Sequence, residues 1–380
     1  MVETHVILSG STGHLGSYIL SALIADPKVK TVHCLNRADK ARPRQDAQLA
    51  QRGLTPLDEK SGTPVTFLTT DLTKPRLGLQ DDVYDVLAAE TTHYIHCAWP
   101  VDFNKSFSTF EPSITGLLNL LDLALASPHT NEASRPLFMF LSSISAMGNW
   151  GAVPGARLQV PEEEVDDWKV ARFGYGQSKI VAERLLAEAT RVSGLRTAVV
   201  RVGQVCGPVE HGEAGCWPRQ EWLPSLVASA KYLHAVPDSL GALDSVDWLP
   251  ADRIGLMIAE LLFCGQEPGT VEYHHLVNPK TSSWKTLLPQ IKTGLGEADV
   301  KTVSLVEWVD LLKESEWDNR NPAVKLLPFF HDLRDKVMLV PNARAVTLEV
   351  KKTVQNCSVL KATMAVQPEW MDLWFKQWKF

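Results

Sequence analysis

Across its first two hundred residues the chain alternates short, unbroken apolar runs with helix-length stretches. The runs THVILSG, TVHCLNR, VTFLTTDL, THYIHCAW, PLFMFLSSIS and RTAVVRVGQV have strand length. Between them lie LGSYILSALIAD, ITGLLNLLDLALAS and the stretch that begins at FGYGQSK, all with helical patterning. A strand that is apolar at every position, rather than at every second one, must be covered on both faces. Strand–helix alternation of this kind builds a parallel sheet with helices on either side. We therefore expect an α/β protein with a doubly wound parallel sheet.

After about residue 205 the alternation fades and Trp and Pro thicken, as in CWPRQEWLPSL, SVDWLPAD and NPKTSSWKTLLPQ. The expected organisation is a sheet domain over residues 1–205, with returns to the sheet near 245–280 such as EYHHLVN. A smaller, mostly helical lobe follows over 206–380. Ligands of open α/β sheets bind beyond the carboxyl ends of the strands, so the lobe is expected to roof that edge. The polar segment 37–62 reads as a helix and a surface loop.

Several function classes are excluded early. The 380 residues carry a net charge of −6, against the basic excess of a nucleic-acid binder. The six cysteines have no CxxC pair and no metal-ligand spacing, as for reduced thiols in an intracellular protein. The apolar stretch near the N-terminus is broken by glycines and follows no basic segment, so neither a membrane span nor a secretory leader is expected. A soluble cytoplasmic protein is expected.

Gly10, Gly13 and Gly16 form G-x-x-G-x-x-G between the first strand and the first helix. A helix N-terminus offers unpaired N–H groups and partial positive charge to a pyrophosphate, and glycines let the phosphates approach the backbone. An acidic residue ending the second strand would hold the ribose hydroxyls of NAD. Here that strand ends in Asn36 and Arg37, with Arg42 and Arg44 following, although Asp39 is also near. A guanidinium fork suits a 2′-phosphate, so NADPH is the expected cofactor.

Tyr175 and Lys179 stand one helical turn apart, on one stripe with Ala182, Leu186 and Ala189. An ammonium turned inward beside a phenol is expected to lower the phenol's pKa and make it a proton donor. The strand FMFLSSIS, some thirty residues earlier, brings a hydroxyl to the same sheet edge; Ser143 is the first choice, then Ser142 and Ser145.

These motifs resemble the extended short-chain dehydrogenase/reductases, whose fold is of the Rossmann type. The segments STGHLGSYIL, CLNRA, HCAWPVDFNKSFSTFEPSITGLLNLLDLAL, FLSSIS, GYGQSK, RVGQVCGP, EWLPSL and VDWLPAD narrow the resemblance. They look like the C-terminal thioester reductase domain of fungal synthetase-like carboxylic acid reductases, over about residues 5–330. That resemblance implies NADPH-dependent reduction of an acyl thioester, held on the phosphopantetheine arm of a carrier (thiolation) domain of the same parent enzyme. The product is an aldehyde, with a further reduction to the alcohol left open.

It further implies Ser143, Tyr175 and Lys179 as catalytic, and Gly10, Thr12, Gly13, His14, Leu15 and Gly16 around the pyrophosphate. Arg37 would take the 2′-phosphate, and Asp71 and Leu72 would flank the adenine; from the residues alone, Arg42 or Arg44 is a candidate to assist Arg37. Cys97, Ala98 and Trp99 would lie near the nicotinamide, with Val202 and Gln204 beyond the last core strand. His14 and Cys97 depart from the family's usual residues. Trp99, Phe103, Trp217 and Trp222 are candidates to line an acyl channel, or else core aromatics. Glu221 and Asp247 read as structural. The alternatives are a nucleotide-sugar epimerase or dehydratase on the same scaffold, a relative that cyclises its acyl chain without hydride transfer, and a dinucleotide sensor without chemistry.

Overall fold

The computed structural model describes residues 3–57, 62–128, 135–296, 300–339 and 345–379. Part of the surface loop expected in 37–62 therefore lies outside the described residues. The chain divides into two compact units, one of residues 1–204, 251–277 and 346–362, the other of 205–250, 278–345 and 363–380.

The first unit holds a seven-stranded sheet, built from β1 (Thr4–Ser9), β2 (Val29–Asn36), β3 (Val65–Thr69), β4 (His93–His96), β5 (Leu137–Ser143), β6 (Arg196–Val202) and β7 (Val271–Leu276). Its order is β7-β6-β5-β4-β1-β2-β3 and every neighbouring pair is parallel. Six of the seven residues of β5 are buried, as expected for a strand with helices on both sides. Those helices include α1 (His14–Ala25), α2 (Ala41–Gln51), α3 (Asp81–Glu90), α4 (Glu111–Leu125), α5 (Phe173–Ser193) and α6 (Ala251–Leu262). The expected doubly wound parallel sheet is thus the observed one, and EYHHLVN is its return strand.

α5 is the longest described helix, at 21 residues, and ends where Gly194 turns left-handed at φ 71°. Its inward stripe includes Tyr175, Lys179, Ala182 and Leu186, all buried. Beneath that helix Arg201 of β6 and Glu183 of α5 form an ion pair at 2.8 Å, exposed by 0% and 1%. The same guanidinium donates to the carbonyls of Pro161 and Glu163, meets Nε2 of His275 at 3.2 Å and lies over the Tyr273 ring. Ser142 donates to the Glu183 carboxylate.

One expectation needs correction. Residues 346–362, read from the sequence as lobe, pack with the sheet unit. Val160 N–H donates to Thr347 and Glu349 N–H to Val160, both at 2.9 Å. Glu162 accepts the backbone N–H groups of Lys352 and Thr353, at 2.5 and 2.7 Å. Leu348 is buried with Met147 and Val160.

The second unit is mostly helical, with helices Trp222–Leu233, Trp284–Leu295, Leu305–Glu314, Leu327–Leu339 and Glu369–Trp378. Its core contains Trp217, Trp248, Trp284, Trp308, Trp374 and Trp378. Buried indole N–H groups need acceptors. Trp284 donates to the Pro237 carbonyl at 2.9 Å and Trp308 to that of Ala235 at 3.0 Å. Among the described residues, no helix is long and apolar enough to cross a membrane.

Candidate active site

β1 and β4 are neighbours in the sheet but are followed by connections that run to opposite sides, which opens a crevice at their carboxyl ends. Gly10 occupies that point with φ 80°, and a Cβ there would meet the Ala98 backbone nitrogen at 2.8 Å. A Cβ on Gly16 would fall on the Gly10 carbonyl oxygen. The turn is closed by Gly13 N–H donating to Gly10 at 2.9 Å, and Gly13 caps α1 without a side chain. No acidic residue lies in the first turn of α1, so its amides and positive end face outward unneutralised. This cradle fits a dinucleotide pyrophosphate.

Thr12 and Leu15 are half-buried on the turn and Gly13 is exposed. His14 follows Gly13 and opens α1. Its ring packs edge-on against Tyr18 at 5.6 Å, and both ring nitrogens are buried without a hydrogen-bond partner. Burial, with Arg52 nearby, pulls its pKa down to about 3, so the ring is neutral and the backbone is its contribution to the turn.

At the far end of the crevice Asn36 is buried, donating to the Cys34 carbonyl at 3.1 Å. Arg37, Asp39 and Arg44 are exposed. Arg42 is engaged with Asp46 at 2.8 Å and with the Leu57 carbonyl, which leaves its fork less free than that of Arg37. Asp71 caps its own turn through Thr73, whose two hydrogen bonds hold the carboxyl below its usual range, with Lys74 and Arg37 adding to the effect. Leu72 packs against α4 at Gly116.

The strand-end hydroxyls separate cleanly. Ser142 turns toward Glu183, while Ser143, the last residue of β5, lies beside Tyr175 and accepts Ser145 N–H at 3.1 Å. Val202 is the register partner of Ser143 on β6, and half-buried Gln204 follows two residues later. The glycines flanking Tyr175 permit close approach: a Cβ on Gly174 or Gly176 would strike the backbone of residues 105–107 or of Ser145. The Tyr175 ring packs against Phe103 at 5.2 Å and Phe110 at 6.1 Å.

Lys179 is 3% exposed, and its Nζ donates to the Leu141 carbonyl at 2.6 Å. Burial pulls its pKa down to about 7, partly countered by Cys97 and Glu183. Burial likewise pushes Tyr175 up to about 12, partly countered by the neighbouring Ser143 side chain. The expected lowering of the phenol by its neighbouring cation is therefore corrected. Removal from water outweighs every other influence on both groups, and the amine is bonded to a backbone carbonyl while standing 5.8 Å from the tyrosine ring centroid. Cys97 is pushed up to about 11 by burial and His96 pulled down to about 3, so both are neutral.

Of the aromatic candidates, Trp99 and Phe103 stand beside Lys179 and Tyr175. Trp217 does not line an open space. It is 2% exposed in the core of the second unit, 4.7 Å from Trp374, and donates to Glu221 at 2.8 Å. Trp222 packs half-buried on Trp248 and Phe329 in that same core. Burial pushes Glu221 up to about 7 and Asp247 to about 6. Sequence reasoning missed Phe140, Leu141 and Ser178; only Ser178, inside the Y-x-x-S-K string, carried a signal.

A parallel sheet of this order, with a glycine cradle at its crossover and a Ser–Tyr–Lys cluster on the same edge, defines a nicotinamide-dependent oxidoreductase. The chain belongs to the family of NAD-binding proteins described as male sterility protein, whose model matches residues 8–258. It is 35% identical to a carboxylic acid reductase of Neurospora crassa, over 99% of this chain and 35% of that enzyme. The chain thus spans about a third of that relative's length. Its fold is similar to the terminal R domain of the myxalamid PKS-NRPS pathway, with TM-score 0.76, 20% identity and 99% and 91% of the two chains covered. A thiolation-reductase di-domain from an archaeal non-ribosomal peptide synthetase superposes with TM-score 0.73 at 20% identity, over 99% of this chain and 75% of the other.

Proposed function

We propose that this chain reduces an acyl thioester, presented on the phosphopantetheine arm of a carrier domain, to an aldehyde at the expense of NADPH. The observation that carries the reading is the placing of Ser143 beside buried Tyr175, with Lys179 one turn further on, at the carboxyl edge of the sheet, on the same edge as the glycine cradle. When bound, the reduced nicotinamide supplies a hydride to the carbonyl carbon. Ser143 and Tyr175 donate hydrogen bonds to the carbonyl oxygen as it gains charge, and Tyr175 delivers the proton. The hemithioacetal then breaks its C–S bond, releasing aldehyde and free thiol. The Lys179 amine, charged when the site is loaded, would hold the nicotinamide ribose.

The relatedness to a carboxylic acid reductase supports this reading over a nucleotide-sugar epimerase or dehydratase. It is tested by following nicotinamide absorbance with aryl and alkyl N-acetylcysteamine thioesters and identifying the products. Aldehyde formed in step with NADPH oxidation is the expected result. Tight NADPH binding with no oxidation across the panel would convert the protein into a sensor.

The choice of NADPH over NADH rests on Arg37, whose fork is exposed just past β2. A charge-assisted hydrogen bond is worth about 1.5–3 kcal/mol. Arg37→Ala is therefore expected to weaken NADPH binding by about ten- to hundred-fold while leaving NADH affinity unchanged, in parallel fluorescence titrations. Equal losses for both cofactors would take Arg37 out of the 2′-phosphate site.

A further inference from the structure

The Lys179 amine lies in an aromatic corner. Its Nζ is 4.6 Å from the Trp99 ring centroid and 4.5 Å from that of Phe140, and the two rings meet edge to face at 5.4 Å. The indole is fixed there by the catalytic helix itself. Trp99 Nε1–H donates to the Ser178 hydroxyl at 3.1 Å, and Ser178 donates to the Tyr175 carbonyl at 2.7 Å. An ammonium has three N–H groups, yet the described partner is a single carbonyl, that of Leu141. The aromatic faces add negative potential to that of the carbonyl.

We propose that Trp99 is a positioning residue for this reaction, its indole face holding the Lys179 amine as a cation beside the Leu141 carbonyl. The inference rests on the reductase reading, and it assigns to Trp99 a role distinct from lining an acyl channel. The other titratable groups around the amine are Cys97 and His96 at the end of β4 and Tyr175 and Glu183 on α5. Thiol, imidazole and phenol are displaced to about 11, 3 and 12, so none of the three changes charge near neutrality. Glu183 is paired with Arg201. The amine, at about 7, is the member of the group that titrates in the working range.

The sign of the effect follows. The charged amine is the active form, so activity falls as pH rises through its pKa; loss of the indole face lowers that pKa and moves the alkaline limb of kcat/KM down. A desolvated cation–π contact is strong enough to shift the limb by about one pH unit, a roughly ten-fold loss of rate above it. The test is the pH profile of NADPH oxidation with the N-acetylcysteamine thioester of benzoic acid. The proteins compared are the wild type, Trp99→Leu, Trp99→Phe, Lys179→Met, and a chain carrying fluorinated tryptophan at position 99.

Trp99→Leu should move the limb down by that amount and Trp99→Phe, which keeps a ring face, should recover most of it. Fluorination keeps the shape and weakens the face, so it should move the limb the same way even if Trp99→Leu fails to fold. A lowered rate with an unmoved limb in the leucine and fluorinated proteins overturns the proposal and leaves the indole as packing. Full activity in Lys179→Met would instead sink the reductase mechanism itself.

Discussion

Tyr175→Phe is expected to bind NADPH as the wild type does and to lose about two to four orders of magnitude in turnover, the usual contribution of a positioned general acid. The substitution removes one oxygen from a ring that is already buried against Phe103 and Phe110, so packing is retained. What disappears is the hydroxyl beside Ser143 and the proton for the developing alkoxide. Burial holds the phenol at about 12, so it gives up its proton only to a strongly basic oxygen such as the developing alkoxide. Cofactor fluorescence gives the affinity and single-turnover absorbance gives the rate. An unchanged rate would remove Tyr175 from the chemistry.

Arg201→Leu is expected to cost about 3–5 kcal/mol of unfolding free energy in urea, because breaking a buried pair strands the remaining charge. Glu183 would be left 1% exposed with only Ser142 to serve it, and the Pro161 and Glu163 carbonyls would lose their donor. Replacing Glu183 with Leu as well should restore part of the loss, since an apolar pair of similar volume avoids the desolvation penalty. A single substitution costing less than about 1 kcal/mol would mean that the carboxylate is not held there as an ion.

The sheet was legible because strands such as FMFLSS are apolar at every position, which admits few solutions besides burial on both faces. The glycine cradle was equally legible, since Gly10 and Gly16 occupy places that no side chain can share with neighbouring backbone. The stretch 346–362 was not. It joins the sheet unit through an isolated bridge from Leu348 to Val160 and through the Glu162 carboxylate, partners almost two hundred residues away that leave no periodic trace. The spacing of Tyr175 and Lys179 likewise announced their proximity but not their electrostatics, because solvent exclusion is set by residues such as Phe110 and Phe140 from other elements. Trp217 shows the same blindness from the other side: a tryptophan in a Pro-rich stretch looks alike in sequence whether it lines a channel or fills a core.

The sheet unit is woven from three separated stretches, with the backbone passing between units after residues 204, 250, 277, 345 and 362. A chimera that grafts a relative's helical unit onto this one must therefore exchange 205–250, 278–345 and 363–380 together. A single crossover near residue 205 would hand the recipient a foreign α6, a foreign β7 edge strand and a foreign clasp for Glu162.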